Sequence, residues 1–360
     1  MRNKNSVVLL QDSVIYNAEM AILSGYLKSS GFKCRIVFEE IEGRGVIKRI
    51  SEIDPDLIAI PTEIRPHNCI SIGGIEAYNN IHKMLKTAKC PVVFFGKQAS
   101  ILPEYLVKRY PELHAVVIGD PEKPIEKILR GQELSTIPGI VFSNKNGEII
   151  KGPVCQPLDL NSLPLPDFDS FYSHKGADRL GFYTSISRGC VYQCSFCQIG
   201  AAAGVYKPTK IRFYPKEWIF EGLEYLCSNY GPIQNIYMTD TNMTLNKKYA
   251  REFLRDYAQR IHIPFVAATR PDLITEDMAE LLASAGCQKV NLGIECGIED
   301  IRNNLLKKNL TNQQIINAVN FLKKNNIRPF GNVIIGLPGE NFTNAFRSLM
   351  ETLDFGVAGL

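Results

Sequence analysis

The 360-residue sequence predicts two successive α/β units: an open, doubly wound, flavodoxin-like parallel sheet and then a half-barrel of parallel strands. Three observations predict this. The first 130 residues alternate short apolar runs with amphipathic segments, residues 131–180 lose that rhythm and fill with Pro, Gly, Asn and Asp, and a second alternating series begins near residue 181.

In the first series the apolar runs are SVVLL, KCRIVFE, DLIAIP, PVVFFG and HAVVIG. They are continuous rather than alternating with polar residues, which marks strands covered on both faces, as in a parallel sheet. Such sheets take ligands beyond the carboxyl ends of their strands. Those ends fall at Gln11 to Val14, Pro61 to Glu63, Gly96 to Gln98 and Gly119 to Glu122.

Residues 131–180 read as an interdomain connection. NKNG supplies a hairpin turn between GIVFS and EIIKG, and prolines at 153, 157, 164 and 166 favour extended backbone. From residue 181 the runs YTSIS, QNIYMTD, PFVAAT, KVNLGI and FGNVIIG predict five more strands with helices between them. Thr311 with Gln314 predicts a capping box ahead of Ile315, Ile316, Val319 and Leu322. Thr275 with Glu276 and Asp277 opens another helix, and Gly286 closes it. A half-barrel carries its site at the carboxyl ends of its strands. The sequence stops at FGVAGL, which reads as the opening of a sixth strand, so the barrel is expected to be truncated there.

Composition narrows the function. A net charge of +4, with both signs scattered, gives no basic face to track a phosphate backbone, so no obligatory nucleic-acid partner is expected. No apolar run approaches the ~20 residues of a membrane span or the core of a signal peptide, which predicts a cytoplasmic chain. Thiols stay reduced there, so the ten cysteines are not a disulfide framework. Seven are dispersed, as small buried hydrophobes are.

The other three, Cys190, Cys194 and Cys197, stand in C-x3-C-x2-C spacing immediately after the first strand of the second series. One loop thus carries three thiolates, the ligand type of both zinc and iron-sulfur clusters. A structural zinc site takes four protein ligands, and no fourth Cys or His lies nearby in the sequence.

ISRGCVYQCSFCQIG resembles the signature of the radical S-adenosylmethionine superfamily. That resemblance implies a partial (βα)6 barrel over residues 181–360 and a 4Fe-4S cluster held by Cys190, Cys194 and Cys197. The fourth iron is then left to S-adenosylmethionine, with Phe196 packing the cluster loop beside the adenine. Later strand ends match in order: TDTN with Asp240, ATRPD with Arg270, GIECG with Glu295, and IIGLPGE with Gly336, Pro338 and Glu340. The resemblance assigns Asp240, Arg270, Glu295, Gly336 and Pro338 to S-adenosylmethionine. The implied chemistry is reductive cleavage to methionine and a 5'-deoxyadenosyl radical, with an external electron donor such as flavodoxin or ferredoxin.

Residues 1–130 resemble the cobalamin-binding domain of one branch of that superfamily, through SEIDPDLIAIPTEI, PVVFFGKQAS and AVVIGDPEKPIEKIL. Thr62, Gly96 and Gly119 are the expected cobalamin contacts. Many such domains carry D-x-H-x-x-G after the first strand; here Val14 stands at the His position and Asn17 at the final Gly. Cobalt therefore gains no histidine from this loop, and His67 is the other His near a strand end. The branch implies methylation of an unactivated carbon of a small-molecule or natural-product substrate. The other readings are a cyclase or rearrangement enzyme of the same branch, a tRNA methylthiotransferase, and a non-catalytic corrinoid or electron carrier. Methylthiotransferases place three more cluster cysteines in their first domain, where Cys34, Cys69 and Cys90 do not sit together in the required way. A carrier has no need of the later strand-end motifs.

Overall fold

The computed structural model describes residues 5–62, 81–173, 181–201 and 211–360. Among them, 5–62 and 81–173 form one compact unit, and 181–200 with 211–360 form a second.

In the first unit the five apolar runs become β1 (Ser6–Gln11), β2 (Lys33–Phe38), β3 (Leu57–Pro61), β4 (Val92–Phe95) and β5 (Ala115–Val117). All are parallel, in the order β2-β1-β3-β4-β5. This is the flavodoxin-like order, whose topological switch point lies between β1 and β3. Every residue of β3, β4 and β5 is buried, as continuous apolar strands require. On one face Val8, Ile58, Phe94 and Val116 join Val46, Ile50, Met84 and Leu106 from the covering helices in a single core.

The Pro- and Gly-rich stretch also contributes to this sheet. Its hairpin forms β6 (Ile140–Ser143) and β7 (Ile149–Lys151), and β6 pairs antiparallel with both β5 and β7. The Asn144 carboxamide closes the turn by accepting from the Asn146 and Glu148 amides. The Asp167 carboxylate takes hydrogen bonds from Ser24, Lys28 and Ser170, which pins the following segment to the helix Ala18–Ser29.

In the second unit β8 (Gly181–Thr184) precedes a two-stranded antiparallel ribbon, β9 (Ser187–Arg188) with β10 (Arg212–Phe213). Then come β11 (Asn235–Met238), β12 (Phe265–Thr269), β13 (Cys287–Glu295) and β14 (Arg328–Val333). The five longer strands are parallel and lie in chain order, β8-β11-β12-β13-β14. That is what repeated βα units with one handedness give. Phe220, Phe253, Tyr257 and Phe265 form a continuous aromatic core between helices and sheet, with successive ring centroids 5.3, 5.9 and 5.1 Å apart. Ala358 and Gly359 bond to Pro329 and Gly331 beside β14, with Gly359 paired in parallel to Phe330.

The capping box of Thr311 and Gln314 is present. Thr275 does occupy the N-cap of Glu276–Ser284, but its hydroxyl accepts no backbone N–H there and instead donates to the Asp277 carboxylate. Gly297 is required by close packing. A Cβ there would lie 2.3 Å from the Ser348 carbonyl and 2.9 Å from the Thr352 amide. No helix among the described residues is long and apolar enough to cross a membrane.

Candidate active site

Because the strands of the second unit are parallel and adjacent, their carboxyl ends lie along one rim. The loop after β8 carries the three cysteines, Asp240 to Asn242 follow β11, Arg270 follows β12, Glu295 ends β13, and Gly336 to Glu340 follow β14. The sheet therefore brings these predicted residues to the same edge.

Five contacts hold the cysteine loop. The Thr241 hydroxyl donates to the Gly189 carbonyl at 3.1 Å, and the Asn242 amide donates to Cys190 Sγ at 3.4 Å. The Arg270 guanidinium stacks 3.9 Å from the centroid of the Tyr192 ring. Ser195 donates its hydroxyl to the Leu305 carbonyl and its amide to the Leu306 carbonyl.

Cations gather behind the loop. Lys308 is buried, 3.1 Å from the Glu295 carboxylate and 5.7 Å from the centroid of the Phe196 ring. Arg270, 4% exposed, is held by two hydrogen bonds to Asp272 and one to the Lys308 carbonyl. Burial pushes the Cys194 thiol above its ordinary pKa; Lys308 and Arg270 pull it down, and the charges of Cys197 and Cys190 raise it. Cys190, Cys194 and Cys197 are all free of disulfides. Among the described residues no three His, Cys, Asp or Glu side chains converge as the ligands of a single ion do.

Asp240 turns inward. Its carboxylate accepts from the Ile186 amide at 2.9 Å and from the Ser187 hydroxyl, so it secures the exit of β8. Burial raises its pKa to about 6, against these hydrogen bonds, which lower it. Unfolded, the group titrates near 3.9, so between about pH 4 and 6 the folded chain binds the additional proton. Its contribution to stability therefore grows as pH falls through that window and is a penalty above it. Asp240→Asn removes the penalty, on the order of 2–3 kcal/mol. The stability of this variant minus that of wild type, from urea unfolding at a series of pH values, should be larger at pH 7 than at pH 4. A difference that is flat with pH contradicts the assignment.

Gly336 and Pro338 are exposed on the rim. Gly336 has φ +89° and open space where a Cβ would stand, and the Glu340 carboxylate accepts from the Gly336 and Leu337 amides. Three buried polar atoms along this rim have no hydrogen-bond partner: Asn242 Oδ1, Arg270 Nη1 and Glu340 Oε1.

Sequence reasoning did not single out Tyr192, Asn242 or Lys308. Asn242 stood inside the TDTN motif, where the acidic residue drew attention. Lys308 reaches the loop from beyond the single π-helical turn Ile301–Leu305, and no local pattern announces it.

In the first unit Thr62 is fully buried, donating to the Phe95 carbonyl and accepting from the Ala99 amide. Gly96 (φ +99°) accepts from Ser100, whose hydroxyl in turn receives the amide of Gly119 (φ +78°). Thr62, Gly96 and Gly119 thus belong to one network across the carboxyl ends of β3, β4 and β5, with Ser100, unnoticed in the sequence, as its link. Val14 donates its amide to the Glu40 carboxylate, and the Asn17 side chain caps the helix Ala18–Ser29. His67 lies outside the described residues.

Residues 184–353 match the family model of the Radical SAM superfamily. This stretch is a radical SAM domain. Over 312 residues the chain is 30% identical to an uncharacterised methyltransferase of Pyrococcus horikoshii, covering 84% of the chain and 65% of that relative. It therefore spans less than two thirds of that relative's length. It is 23% identical to cytidylyl-2-hydroxyethylphosphonate methyltransferase of Streptomyces wedmorensis over 90% of the chain and 69% of that enzyme. The radical SAM domain and the sheet before it share their fold with the methyltransferase TsrM of Kitasatospora setae, solved with cobalamin and a [4Fe-4S] cluster bound. The TM-score is 0.79 at 18% identity, over 98% of this chain and 70% of that one.

Proposed function

We propose that this chain cleaves S-adenosylmethionine reductively at a 4Fe-4S cluster held by Cys190, Cys194 and Cys197, and uses cobalamin bound by its first unit to methylate an unactivated carbon of a small molecule. The observation that carries the reading is the loop of three disulfide-free thiols in C-x3-C-x2-C spacing at the end of β8, inside the radical SAM domain. The donor set suits a cluster, whose irons are held by cysteine thiolates. When bound, the cluster and its cosubstrate supply an electron and an organic radical, chemistry that side chains do not offer.

The chain's own residues place and enclose these groups. Arg270 Nη1 is a buried donor without an acceptor, which suits a carboxylate, and Asn242 Oδ1 and Glu340 Oε1 are acceptors that suit N–H donors. S-adenosylmethionine presents both kinds of group. Phe196, Gly336 and Pro338 offer an exposed ring and open backbone to the adenosine, Glu295 holds Lys308 behind the loop, and Asp240, after β11, fixes the chain that leaves β8 for the loop. The bond of Gly359 to β14 supports reading Ala358–Gly359 as the opening of the sixth strand of a partial (βα)6 barrel. We assign residues 1–130 to the cobalamin unit, with Thr62, Gly96 and Gly119 at its pocket, and residues 181–360 to the radical barrel, acting in the cytoplasm with a flavodoxin or ferredoxin as electron donor.

The cobalamin reading makes a spectroscopic prediction. Of the described histidines in the first unit, His82 packs its ring 5.3 Å from Tyr110, and His114 precedes β5 at the end opposite the network. Val14 supplies no nitrogen. The cob(II)alamin form of the reconstituted protein should therefore show cobalt lines without the threefold splitting of a single histidine nitrogen, in wild type and in His67→Ala alike. A triplet lost in His67→Ala would assign the ligand to His67 instead. Transfer of a deuterated methyl group from S-adenosylmethionine into a small-molecule pool, read by mass spectrometry, tests the methyltransferase assignment; failure to bind any corrinoid would remove it.

A further inference from the structure

We propose that Asn242 sets the reduction potential of the cluster by donating its amide to the Cys190 sulfur. The inference rests on the reading that Cys190, Cys194 and Cys197 hold that cluster. Asn242 Nδ2 lies 3.4 Å from Cys190 Sγ, and the residue is 5% exposed. Among the described residues no other side chain donates a hydrogen bond to any of the three sulfurs. A metal-bound thiolate only accepts, so the N–H and not Oδ1 must face it, which is the orientation found.

The donor is rigidly carried. The Met243 amide bonds to the Ala268 carbonyl, and the Leu245 amide to the Asn242 carbonyl. The nearby cations are already compensated, Lys308 by Glu295 and Arg270 by Asp272. The Asn242 amide is thus, among the described residues, the side-chain donor placed directly on a loop sulfur, while Lys308 and Arg270 act on the loop from their ion pairs with Glu295 and Asp272. Reduction adds negative charge that spreads onto the thiolate sulfurs. A hydrogen bond to sulfur therefore favours the reduced state, and its loss lowers the potential.

The test is a redox titration of the reconstituted holoprotein, followed by electron paramagnetic resonance without S-adenosylmethionine. Asn242→Asp and Asn242→Leu keep the volume and remove the donor, so both midpoints should move to more negative potential, Asp at least as far as Leu. Thr241→Val removes the neighbouring tie without touching the sulfur and should keep the wild-type midpoint. The proposal is overturned if either Asn242 variant loads its cluster and titrates at the wild-type midpoint, or if Thr241→Val shifts it as far. Wild type that takes up no iron would instead defeat the cluster reading itself.

Discussion

Anaerobically purified Cys194→Ala protein should be colourless and hold essentially no iron, where wild type should be brown with about four irons per chain. Cys190→Ala and Cys197→Ala should behave alike, and each should lose formation of 5'-deoxyadenosine entirely. The size of the effect follows from the ligand count: three thiolates anchor three irons, and the loss of one opens a second iron to solvent. The fold is not at stake. Cys190 and Cys197 are half-buried, Cys194 is buried but truncation to Ala removes only its sulfur, and Tyr192, Ser195 and Thr241 hold the loop without any sulfur. Iron analysis checks the first outcome and a thermal melt of the metal-free proteins the second. Variants that keep four irons would show that the loop is not the cluster's holder.

Arg302→Met should have the largest effect on stability. Arg302 is fully buried and donates to the carbonyls of Leu310, Cys296 and Gly297 at 2.9, 2.8 and 3.1 Å, and to the Asn312 side chain. Met preserves most of the volume but leaves the buried Cys296 and Gly297 carbonyls unpaired, each costing about 1–3 kcal/mol, while the Leu310 carbonyl keeps the Asn303 amide. We expect a loss of about 2 kcal/mol or more, and reduced cluster loading with it. Arg302 joins the chain after β13 to the start of the helix Asn312–Lys324, and the segment between them provides the carbonyls of Leu305 and Leu306 that hold Ser195. Calorimetry of the metal-free protein measures the loss. A change below about 1 kcal/mol would mean that water replaces the guanidinium at those carbonyls.

What the sequence made legible was governed by short-range pattern. Continuous apolar runs announced β1 to β5 because both faces of a parallel strand are covered, and Thr311 with Gln314 announced a helix start because a capping box is closed within four residues. The cysteine loop was legible for the same reason: its chemistry lies within eight residues. The partner of the NKNG hairpin was not, since pairing of β6 with β5 is decided by the sheet edge that β5 leaves open. Lys308 and Arg302 were equally silent, because a basic residue in a polar stretch reads as solvated until the fold buries it. The inward turn of Asp240 depends on Ile186 and Ser187, 54 and 53 residues away.

The central claim is tested most directly by incubating the anaerobically reconstituted, dithionite-reduced chain with S-adenosylmethionine and following products by mass spectrometry. The account predicts 5'-deoxyadenosine and methionine in equal amounts, absent without reductant and absent in Cys194→Ala. Stoichiometric zinc in fresh anaerobic protein, with no iron taken up and no 5'-deoxyadenosine formed under reduction, would contradict it.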